Sequence, residues 1–300
     1  MKILNFGSLN IDYIYDVDHF VQSGETISSL KMETFTGGKG LNQSVAASRS
    51  GAEVWHAGAI GKTDGGFLLE LMQNAGIHTE YISRVDGSTG HAVIQREPSG
   101  QNCILLYGGA NQMVTEEQVH NVIEHFDPGD WLILQNEISC VGEIMTEAHR
   151  KGLHIALNPS PMNEKISEYP IEYVDLLVLN EIEATEICPG SVGNPEKQLY
   201  ALQKKFPECT LVLTLGKKGA WYFNREKMFF QPSFQVSTVD TTGAGDTFTG
   251  FLLGALVRGD SPESAMYEAT AAAAIAVSRP GAAPSIPLRS EVLNFLQEKT

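Results

Sequence analysis

Residues 131–162 read WLILQNEISCVGEIMTEAHRKGLHIALNPSPM, and this stretch decides the fold class. Two short apolar runs, Trp131–Leu134 and His154–Leu157, enclose the helical stretch Gly142–Lys151. Runs that are apolar on both faces are typical of strands buried in a parallel sheet, and a helix between two of them predicts a βαβ unit. The stretch therefore indicates an α/β protein.

The same alternation extends from this unit in both directions along the chain. Further strands are predicted at Ile3–Phe6, Leu176–Leu179 and Leu211–Leu215, and further helices at Gly40–Arg49, Gly66–Asn74, Thr115–His125, Glu196–Lys205, Gly250–Arg258 and Ser261–Val277. Neither a repeat nor a long linker divides the pattern. We expect one domain over residues 1–300, a doubly wound and mainly parallel sheet flanked by helices.

Two regions depart from the alternation. Asp12–Phe35 and Gly90–Leu106 are strand-like and have no long helix between their strands. Their segments IDYIYDV and HAVIQ alternate partially between apolar and polar residues, as half-exposed strands do. We expect residues 12–36 and 90–107 to form a small separate sheet, either a lid over a substrate site or a subunit interface.

Composition excludes several classes of function. The net charge of -15 argues against nucleic acid or an anionic membrane as a partner, although a local nest of N–H groups can still bind phosphate. The start of the chain, MKILNFGS, is typical of a short strand and not of a signal peptide, so we expect a cytoplasmic protein. The four cysteines and eight histidines lack metal-ligand spacing. The GKT at residues 61–63 is not a P-loop, because His56 stands where that motif requires glycine.

The strongest candidate for chemistry is Asp240–Gly250, DTTGAGDTFTG, which follows the predicted polar strand Phe234–Val239 and opens a helix. Gly243 and Gly245 allow successive N–H groups to point one way at the positive end of the helix dipole. That arrangement suits the charge on a transferring phosphoryl group. Asp246 would oppose an anion there unless it takes a proton from an attacking hydroxyl, so it is the candidate general base; helix capping is the alternative.

Two stretches near the N-terminus are candidates for substrate contact. Thr36–Asn42, TGGKGLN, combines close backbone approach with a cation at Lys39, and Gly7–Asp12, GSLNID, follows the first strand. Ligands of doubly wound proteins bind outside the carboxyl ends of the strands, where Asn10 and Asp12 could hold sugar hydroxyls. The alternatives are an ordinary turn before a helix and an Asx-turn after a strand.

Polar residues also follow two later strands. Asn180–Glu183, NEIE, could place Glu183 near Mg²⁺ through water, or could be a helix N-terminus with Asn as its cap. Thr214–Gly219, TLGKKG, could direct Lys217 and Lys218 at nucleotide phosphates, or could be a solvated turn. Neither stretch decides a function by itself.

Taken in order, these motifs resemble the PfkB carbohydrate-kinase family, and within it the branch that phosphorylates D-ribose. The similarity runs from Gly7 to nearly the C-terminus through GSxNxD, GGKGxNQ, NPxP, NExE, TLGxxG, DTTGAGD and RPGAAPS. The GGKGxN and DTTGAGD stretches correspond to the two diagnostic signatures of the family, although Phe251 stands where the second often has glycine. The resemblance implies a lid of β-strands over the sheet, and phosphorylation of the ribose 5-hydroxyl by ATP.

The resemblance also implies roles for individual residues. Asp246 would be the base, and Gly243, Ala244 and Gly245 the anion hole. The sugar would be bound by Asn10, Asp12, Gly38, Lys39, Asn42, Glu137 and Asp246. ATP would be bound by Asn180, Thr214, Gly216, Lys217, Lys218, Gly219, Gly245 and Thr270, the last standing where relatives often have Asn or His. Glu183 would hold Mg²⁺ through water, and K⁺ would be bound by Asp240, Thr242, Ala276, Arg279, Gly281 and Ser285.

A homodimer joined through the lids is a further implication of the resemblance. Three alternatives to a ribose kinase remain open at this point. A related kinase could act on deoxyribose, fructose or a nucleoside such as adenosine; the polar set around Asn10 favours a small polyol, whereas Phe20, Phe35 and Tyr107 could form a platform for a base. A phosphosugar kinase would need more basic residues than Lys39. A non-catalytic sugar-binding regulator would typically lack the base or the glycines.

Overall fold

The computed structural model describes residues 1–190 and 193–299, and within these ranges it contains two β-sheets and nine α-helices. The strands are β1 (Ile3–Phe6), β2 (Asn10–Asp16), β3 (Lys31–Gly37), β4 (Val54–Gly61), β5 (His78–Val85), β6 (Gly90–Arg96), β7 (Asn102–Tyr107), β8 (Trp131–Gln135), β9 (His154–Asn158), β10 (Leu176–Asn180), β11 (Thr210–Thr214), β12 (Gly219–Phe223) and β13 (Met228–Pro232). The helices are α1 (Lys39–Arg49), α2 (Gly66–Asn74), α3 (Glu116–Ile123), α4 (Val141–Lys151), α5 (Glu181–Ile187), α6 (Pro195–Lys205), α7 (Ala244–Val257), α8 (Pro262–Val277) and α9 (Arg289–Gln297).

The large sheet has the strand order β13-β12-β11-β10-β9-β8-β1-β4-β5. Neighbouring strands from β11 to β5 pair in parallel, whereas at one edge of the sheet β12 pairs antiparallel with both β11 and β13. The doubly wound, mainly parallel fold predicted from the sequence is confirmed. Because parallel strands point the same way, the loops after β1, β8, β9, β10 and β11 meet at one edge of the sheet.

Each face of the large sheet carries its own hydrophobic core. Successive strand residues point to opposite faces, so Ile3 packs with Leu41 and Phe251 on one side, and Leu4 packs with Ile144 on the other. The helices α1, α2, α7, α8 and α9 cover the first face, and α3, α4, α5 and α6 cover the second. None of the helices in the described ranges combines the length and the hydrophobicity that a membrane span requires.

The small sheet, which we call the lid sheet, consists of β3, β2, β6 and β7 in that order. Each of the two irregular regions of the sequence supplies two of its strands. The central pair, β2 and β6, is parallel and in register from Asn10–Gly90 to Asp16–Arg96, and both outer pairs are antiparallel. Since β2 follows β1 almost directly, the lid sheet is anchored next to the carboxyl edge of the large sheet.

Two sequence expectations about the C-terminal half are wrong. Phe234–Val239 is not a strand: its first ring packs on Tyr267 and Phe295, and the N–H of Val239 donates to Val277 O at the end of α8 at 2.8 Å. The segment is therefore held by helices and not by a sheet. Helix α7 begins at Ala244, before the predicted helical stretch Gly250–Arg258, although in agreement with the helix N-terminus expected from the motif at Gly243–Asp246.

Helices α1 and α7 lie in unusually close contact. A Cβ added at Gly250 would meet Ala46 Cβ at 2.4 Å and Ala47 N at 2.6 Å, and one added at Gly254 would meet Ser50 Oγ at 1.8 Å. Only glycine at these positions allows the two backbones to approach this far. The contact fixes the first turns of both helices relative to each other, and the candidate site lies at those turns.

Candidate active site

The candidate catalytic carboxylate lies in the first turn of α7. Gly243 precedes the helix with a φ of 72°, a left-handed conformation that glycine adopts without strain. Asp246 is the third residue of the helix and is 7% exposed. Its oxygens accept hydrogen bonds from Asn42 Nδ2 at 3.1 Å and from Gln43 Nε2 at 2.9 Å, both on α1. Because Gly243 occupies the N-cap position and the carboxylate bonds another helix, Asp246 is not a capping residue.

The same turn presents backbone donors. The first N–H groups of a helix have no acceptor within the helix, and they lie at the positive end of its dipole. The N–H of Ala244 already donates a hydrogen bond to Thr241 O at 3.3 Å. Gly245, the next residue, is exposed to solvent and can be approached by a ligand. The turn at Gly243–Gly245 therefore suits an anionic group placed beside Asp246.

A chain of buried amides continues from Asp246 into the large sheet. Gln43 Oε1 accepts a hydrogen bond from Gln135 Nε2 at 2.8 Å, and the same nitrogen donates to Asn5 Oδ1 at 3.1 Å. Asn5 Nδ2 then donates to Gly40 O at 2.8 Å, which returns the chain to α1. Gln43 and Asn5 are fully buried, and Gln135 is almost so. The amides thus tie α1 to β1 and β8 next to the carboxylate.

Polar side chains also gather where β1 leads into the lid sheet. Asn10 Oδ1 accepts a hydrogen bond from Asn111 Nδ2 at 2.7 Å, and Asn111 Oδ1 accepts one from Leu9 N at 3.0 Å. Asn10 is the first residue of β2 and pairs within the lid sheet, so it does not form an isolated Asx-turn. Asn42 Oδ1 is buried and finds no hydrogen-bond partner among the residues that the structure describes. A buried acceptor of this kind would gain a partner from any hydroxyl group that reached it.

Three charged side chains lie beside these amides. Glu137 Oε2 accepts hydrogen bonds from Ser8 Oγ and, at 3.0 Å, from the N–H of Lys39. Burial raises the pKa of Glu137, and burial together with the nearby Glu137 charge raises the pKa of Asp12 to about 6. Burial opposes the charge of Lys39, yet the surrounding carboxylates, led by Asp246, raise the pKa of Lys39 above its usual value. The group is therefore a polar cluster that contains one firmly charged cation, Lys39.

A second pocket, of about 450 Å³, opens on the other side of the α7 N-terminus. Its walls are largely apolar where α8 meets the segment 234–238, and polar at the turn after β11. Of the predicted ATP residues, Thr214, Gly216, Lys217, Gly219, Gly245 and Thr270 line it, together with Phe234, Val236, Phe248, Ala273, Ala274 and Val277. Its volume and its mixture of apolar walls with few polar groups are typical of a small-molecule site. Lys218 is turned toward Glu181, with 3.8 Å between Nζ and Oε1.

The capping alternative describes Asn180 and Glu183 well. Asn180 Oδ1 accepts hydrogen bonds from the N–H groups of Ile182 and Glu183, and Glu183 Oε2 accepts one from the N–H of Asn180 at 2.9 Å. Glu183 is buried and also accepts from Ser160 Oγ. Its negative charge nevertheless acts on Lys39, so it belongs electrostatically to the site.

Three of the predicted cation residues, Asp240, Thr242 and Gly281, meet at the loop before α7. Asp240 Oδ1 accepts hydrogen bonds from Thr242 N at 2.9 Å and Thr242 Oγ1 at 2.7 Å, and Oδ2 accepts one from Gly281 N at 3.0 Å. Burial raises the pKa of Asp240, but these hydrogen bonds outweigh burial and hold it below its usual value. Arg279 is paired with Glu291 at 2.6 Å, so its side chain points away from this cluster toward α9. Asp240 therefore joins the loop before α7 to the loop after α8.

Several residues of the site were not identified as candidates in the sequence. Gln43 and Gln135 form the amide chain, and Ser8 and Asn111 hold Glu137 and Asn10. For Gln43 a signal existed, because GGKGLNQ places two adjacent amides on a helix whose neighbouring residues 45–47 are apolar. Asn111 carried no such signal, since its partners lie about 100 residues away in the chain.

Comparison with known proteins agrees with this geometry. The family model for pfkB family carbohydrate kinases matches residues 1–289. A ribokinase of Haemophilus influenzae is 36% identical over 301 residues, which cover 97% of this chain and 97% of that protein. The chain is thus similar to a ribokinase over nearly its whole length.

Solved structures give the same result. The crystal structure of a ribokinase from Thermotoga maritima superposes with a TM-score of 0.87 at 36% identity, and covers 99% of both chains. The structure of an Arabidopsis thaliana ribokinase complexed with ribose and ATP has a TM-score of 0.88 at 30% identity, and covers 99% of this chain and 98% of that one. Both share the arrangement of one large sheet and a separate small sheet that is described above.

Proposed function

The chain belongs to the PfkB family of carbohydrate kinases, and we propose that it transfers the γ-phosphoryl group of ATP to the 5-hydroxyl of D-ribose, giving ribose 5-phosphate and ADP. One observation carries the proposal. The buried Asp246 carboxylate lies at the first turn of α7, with the polar cluster around Asn42 on one side and the pocket of about 450 Å³ on the other. A single-domain architecture over residues 1–300 is part of the proposal.

On the sugar side, Asp246 acts as the general base. It takes the proton of the primary hydroxyl while the oxygen attacks the γ-phosphorus. The sugar is held by Asn10, Asp12, Gly38, Lys39, Asn42 and Glu137, which offer carboxylate and amide acceptors as well as one cation. The free Asn42 Oδ1 supports this assignment, because a sugar hydroxyl would satisfy an otherwise unpaired buried acceptor.

On the nucleotide side, the chain positions the phosphates and the base. The turn of Gly243, Ala244 and Gly245 faces the phosphoryl group with helix-terminal N–H groups. The adenine lies against the apolar wall that includes Phe234, and Lys217 lies where the phosphates leave the pocket. Asn180, Lys218 and Thr270 complete the proposed contacts. Thr270 Oγ1 is bonded to Met266 O within its own helix, at 2.7 Å, so its contact with the adenine would be through its methyl group.

The residues present fit a Mg²⁺ ion that arrives with the nucleotide. The described part of the chain holds no group of three His, Cys, Asp or Glu side chains that could bind a metal by itself. Mg²⁺ commonly keeps several waters and binds substrate phosphates, so one carboxylate, Glu183, suffices to hold it through water. When bound, the ion neutralises charge on the transferring phosphoryl group.

The loop before α7 also fits a monovalent cation, for which we propose K⁺. The negative charge of Asp240 is maintained, and the backbone of Thr242, Gly281 and Ser285 lies in the same pair of loops. Ala276 and Arg279 supply the remaining carbonyls from the end of α8. A bound cation would tie these loops together and so fix the turn at Gly243.

We also propose a homodimer formed through the lid sheet. Its edge strand β7 is exposed along its whole length, and Ile104, Leu105, Leu106 and Tyr107 are between 51% and 70% exposed. An exposed apolar edge strand usually marks a contact with another chain. A second copy of this chain, offering the same edge, would cover it.

The activity is tested by ATP turnover of the purified protein with Mg²⁺, across D-ribose, 2-deoxyribose, fructose, fructose 6-phosphate and adenosine, each with and without K⁺. We expect turnover that depends on ribose and increases with K⁺. Turnover with another acceptor would keep the mechanism and reject ribose as the substrate. Sugar binding without any turnover would reject the kinase and favour a regulator.

The base is tested by Asp246→Asn. We expect turnover to fall by more than about a thousandfold while ribose binding, measured by calorimetry, persists, because the amide keeps the shape of the carboxylate but cannot take a proton. Turnover near that of the parent protein would show that Asp246 is not the base.

A further inference from the structure

We propose that Gln43 is a positioning residue for Asp246, and that Gln135 orients the Gln43 amide for this task. The inference rests on the proposed function, since it concerns the carboxylate that takes the proton. It deepens that function by naming two residues that touch neither substrate in the assignment above. Both act through the same row of hydrogen bonds.

The first step is the contact itself. Gln43 Nε2 donates to Asp246 Oδ1 at 2.9 Å, and Asn42 Nδ2 donates to Oδ2 at 3.1 Å. A carboxylate offers about four lone-pair positions, so one on each oxygen remains for the sugar hydroxyl. With both oxygens held, the plane of the carboxylate cannot rotate about its side-chain bond. Gln43 therefore fixes the direction in which Asp246 meets its proton.

The second step concerns which end of the Gln43 amide faces Asp246. A glutamine amide can be turned over so that its oxygen replaces its nitrogen, and an oxygen facing a carboxylate would repel it. Gln135 Nε2 donates to Gln43 Oε1 at 2.8 Å, and Gln43 Nε2 also donates weakly to Asn158 Oδ1 at 3.4 Å, so turning the amide over would break three hydrogen bonds, including the one to Asp246. Gln135 thus specifies the productive orientation.

The third step is that Gln135 is itself held at a cost. Its Oε1 is buried and finds no hydrogen-bond partner in the described part of the chain, while its Nε2 donates twice, to Gln43 and to Asn5. A buried acceptor without a partner is unfavourable, but a nonpolar residue at position 135 would leave two others, Gln43 Oε1 and Asn5 Oδ1, without their donor. The polar side chain is therefore explained by the two acceptors that its nitrogen satisfies, one of which is the Gln43 oxygen.

The experiment is a double-mutant cycle with Gln43→Met and Gln135→Met, followed through kcat and the KM for the accepted sugar. Loss of a hydrogen bond to a charged group predicts a fall in kcat of about 10- to 100-fold for Gln43→Met, with KM changed less than about threefold. Gln135→Met should lower kcat less. Because Gln135 acts through Gln43, the double variant should be no slower than Gln43→Met alone.

Gln118→Met is the matched control. Gln118 also donates two hydrogen bonds from its Nε2, to Gly58 O at 2.8 Å and Tyr81 O at 3.2 Å, but it lies on α3 away from Asp246. Its loss should cost stability and leave kcat unchanged. If Gln43→Met does not fold, Gln43→Glu keeps the shape and the acceptor for Gln135 but removes the donor, and should lower kcat at least as much.

Three results would overturn the proposal: a kcat within twofold of the parent in a folded Gln43 variant, a loss equal to that of the Gln118 control, or effects of Gln43 and Gln135 that multiply in the double variant. These results are separate from a failure of the proposed function. The cycle can be run with any acceptor that the parent protein phosphorylates, whereas a protein without turnover on any acceptor rejects the function and the inference together.

Discussion

Replacement of Asp12 by Asn should make the free protein more stable and the sugar complex weaker. In the folded protein, burial and the neighbouring Glu137 raise the pKa of Asp12 from 3.8 to about 6. A raised pKa means that the ionised carboxylate is disfavoured by folding. About two pKa units correspond to about 3 kcal/mol as an upper limit. Partial exposure of the side chain reduces this to about 1–2 kcal/mol.

The difference in stability between Asp12→Asn and the parent protein should depend on pH. Above pH 6 the parent protein carries the unfavourable charge and the variant does not, so the variant should be more stable by the full amount. As the pH falls from 6 to 3.8, the folded parent takes up a proton that the unfolded chain does not yet bind, and the parent regains stability. The advantage of Asp12→Asn should therefore shrink toward zero near pH 4.

Urea unfolding without sugar at pH 5 and pH 8 measures the difference in free energy of unfolding. The matched control is Asp16→Asn on the same strand, since a hydrogen bond from Arg96 lowers the pKa of Asp16 and its loss should destabilise the protein at pH 8. Ribose binding by Asp12→Asn should weaken by about 10- to 100-fold, because a charged acceptor is lost. A variant no more stable than the parent at pH 8, or a gain that is the same at both pH values, would refute the reasoning.

The close helix contact and the lid edge each give one more prediction. Gly250→Ala places a methyl group 2.4 Å from Ala46 Cβ, so we expect the free energy of unfolding to fall by about 1–3 kcal/mol in thermal unfolding, and kcat to be reduced. Gly66→Ala is the control and should be close to neutral, because no atom lies within 4 Å of the added Cβ. Equal effects of the two substitutions would contradict the packing argument. Leu105→Lys should convert the proposed dimer to a monomer, as measured by light scattering. Leu293→Lys is the control and should leave the dimer intact, because Leu293 lies on α9 and is 40% exposed. A dimer that survives Leu105→Lys would place the interface elsewhere.

The fold class was predictable because a buried parallel strand is recognisable from a short run of consecutive apolar residues. Runs such as Ile3–Phe6 and Leu176–Leu179 are apolar on both faces, and the structure buries them in the large sheet with the predicted bounds or one residue more. The hairpin β12–β13 was not predicted, because the five residues MFFQP of β13 end in proline and are as compatible with a loop as with a strand. The segment 234–239 has the alternation of a strand, but α8 and α9 provide the surface it packs on, and local sequence cannot show which surface is near.

The candidate site was predictable where a motif carries its chemistry in adjacent residues. The Gly243–Asp246 turn is one such motif, because the glycines and the carboxylate are neighbours in the chain. The partners of Asp246 were not predictable, since Asn42 and Gln43 are more than 200 residues away and reach it only through the packing of α1 on α7. Asn180 shows the opposite case, in which the local interpretation as a helix cap fully describes the hydrogen bonds seen.

The close contact between α1 and α7 at Gly250 and Gly254 has a thermodynamic consequence. It holds Asp246 and its amide donors in place before any substrate arrives, so the cost of ordering them is met when the chain folds and not during each turnover. In the proposed mechanism, a preorganised base does not distinguish a sugar hydroxyl from a water molecule, however. Preference for the sugar as phosphoryl acceptor over hydrolysis of ATP would then have to come from whatever covers the site, and we propose that the lid sheet, which begins at Asn10, excludes water there.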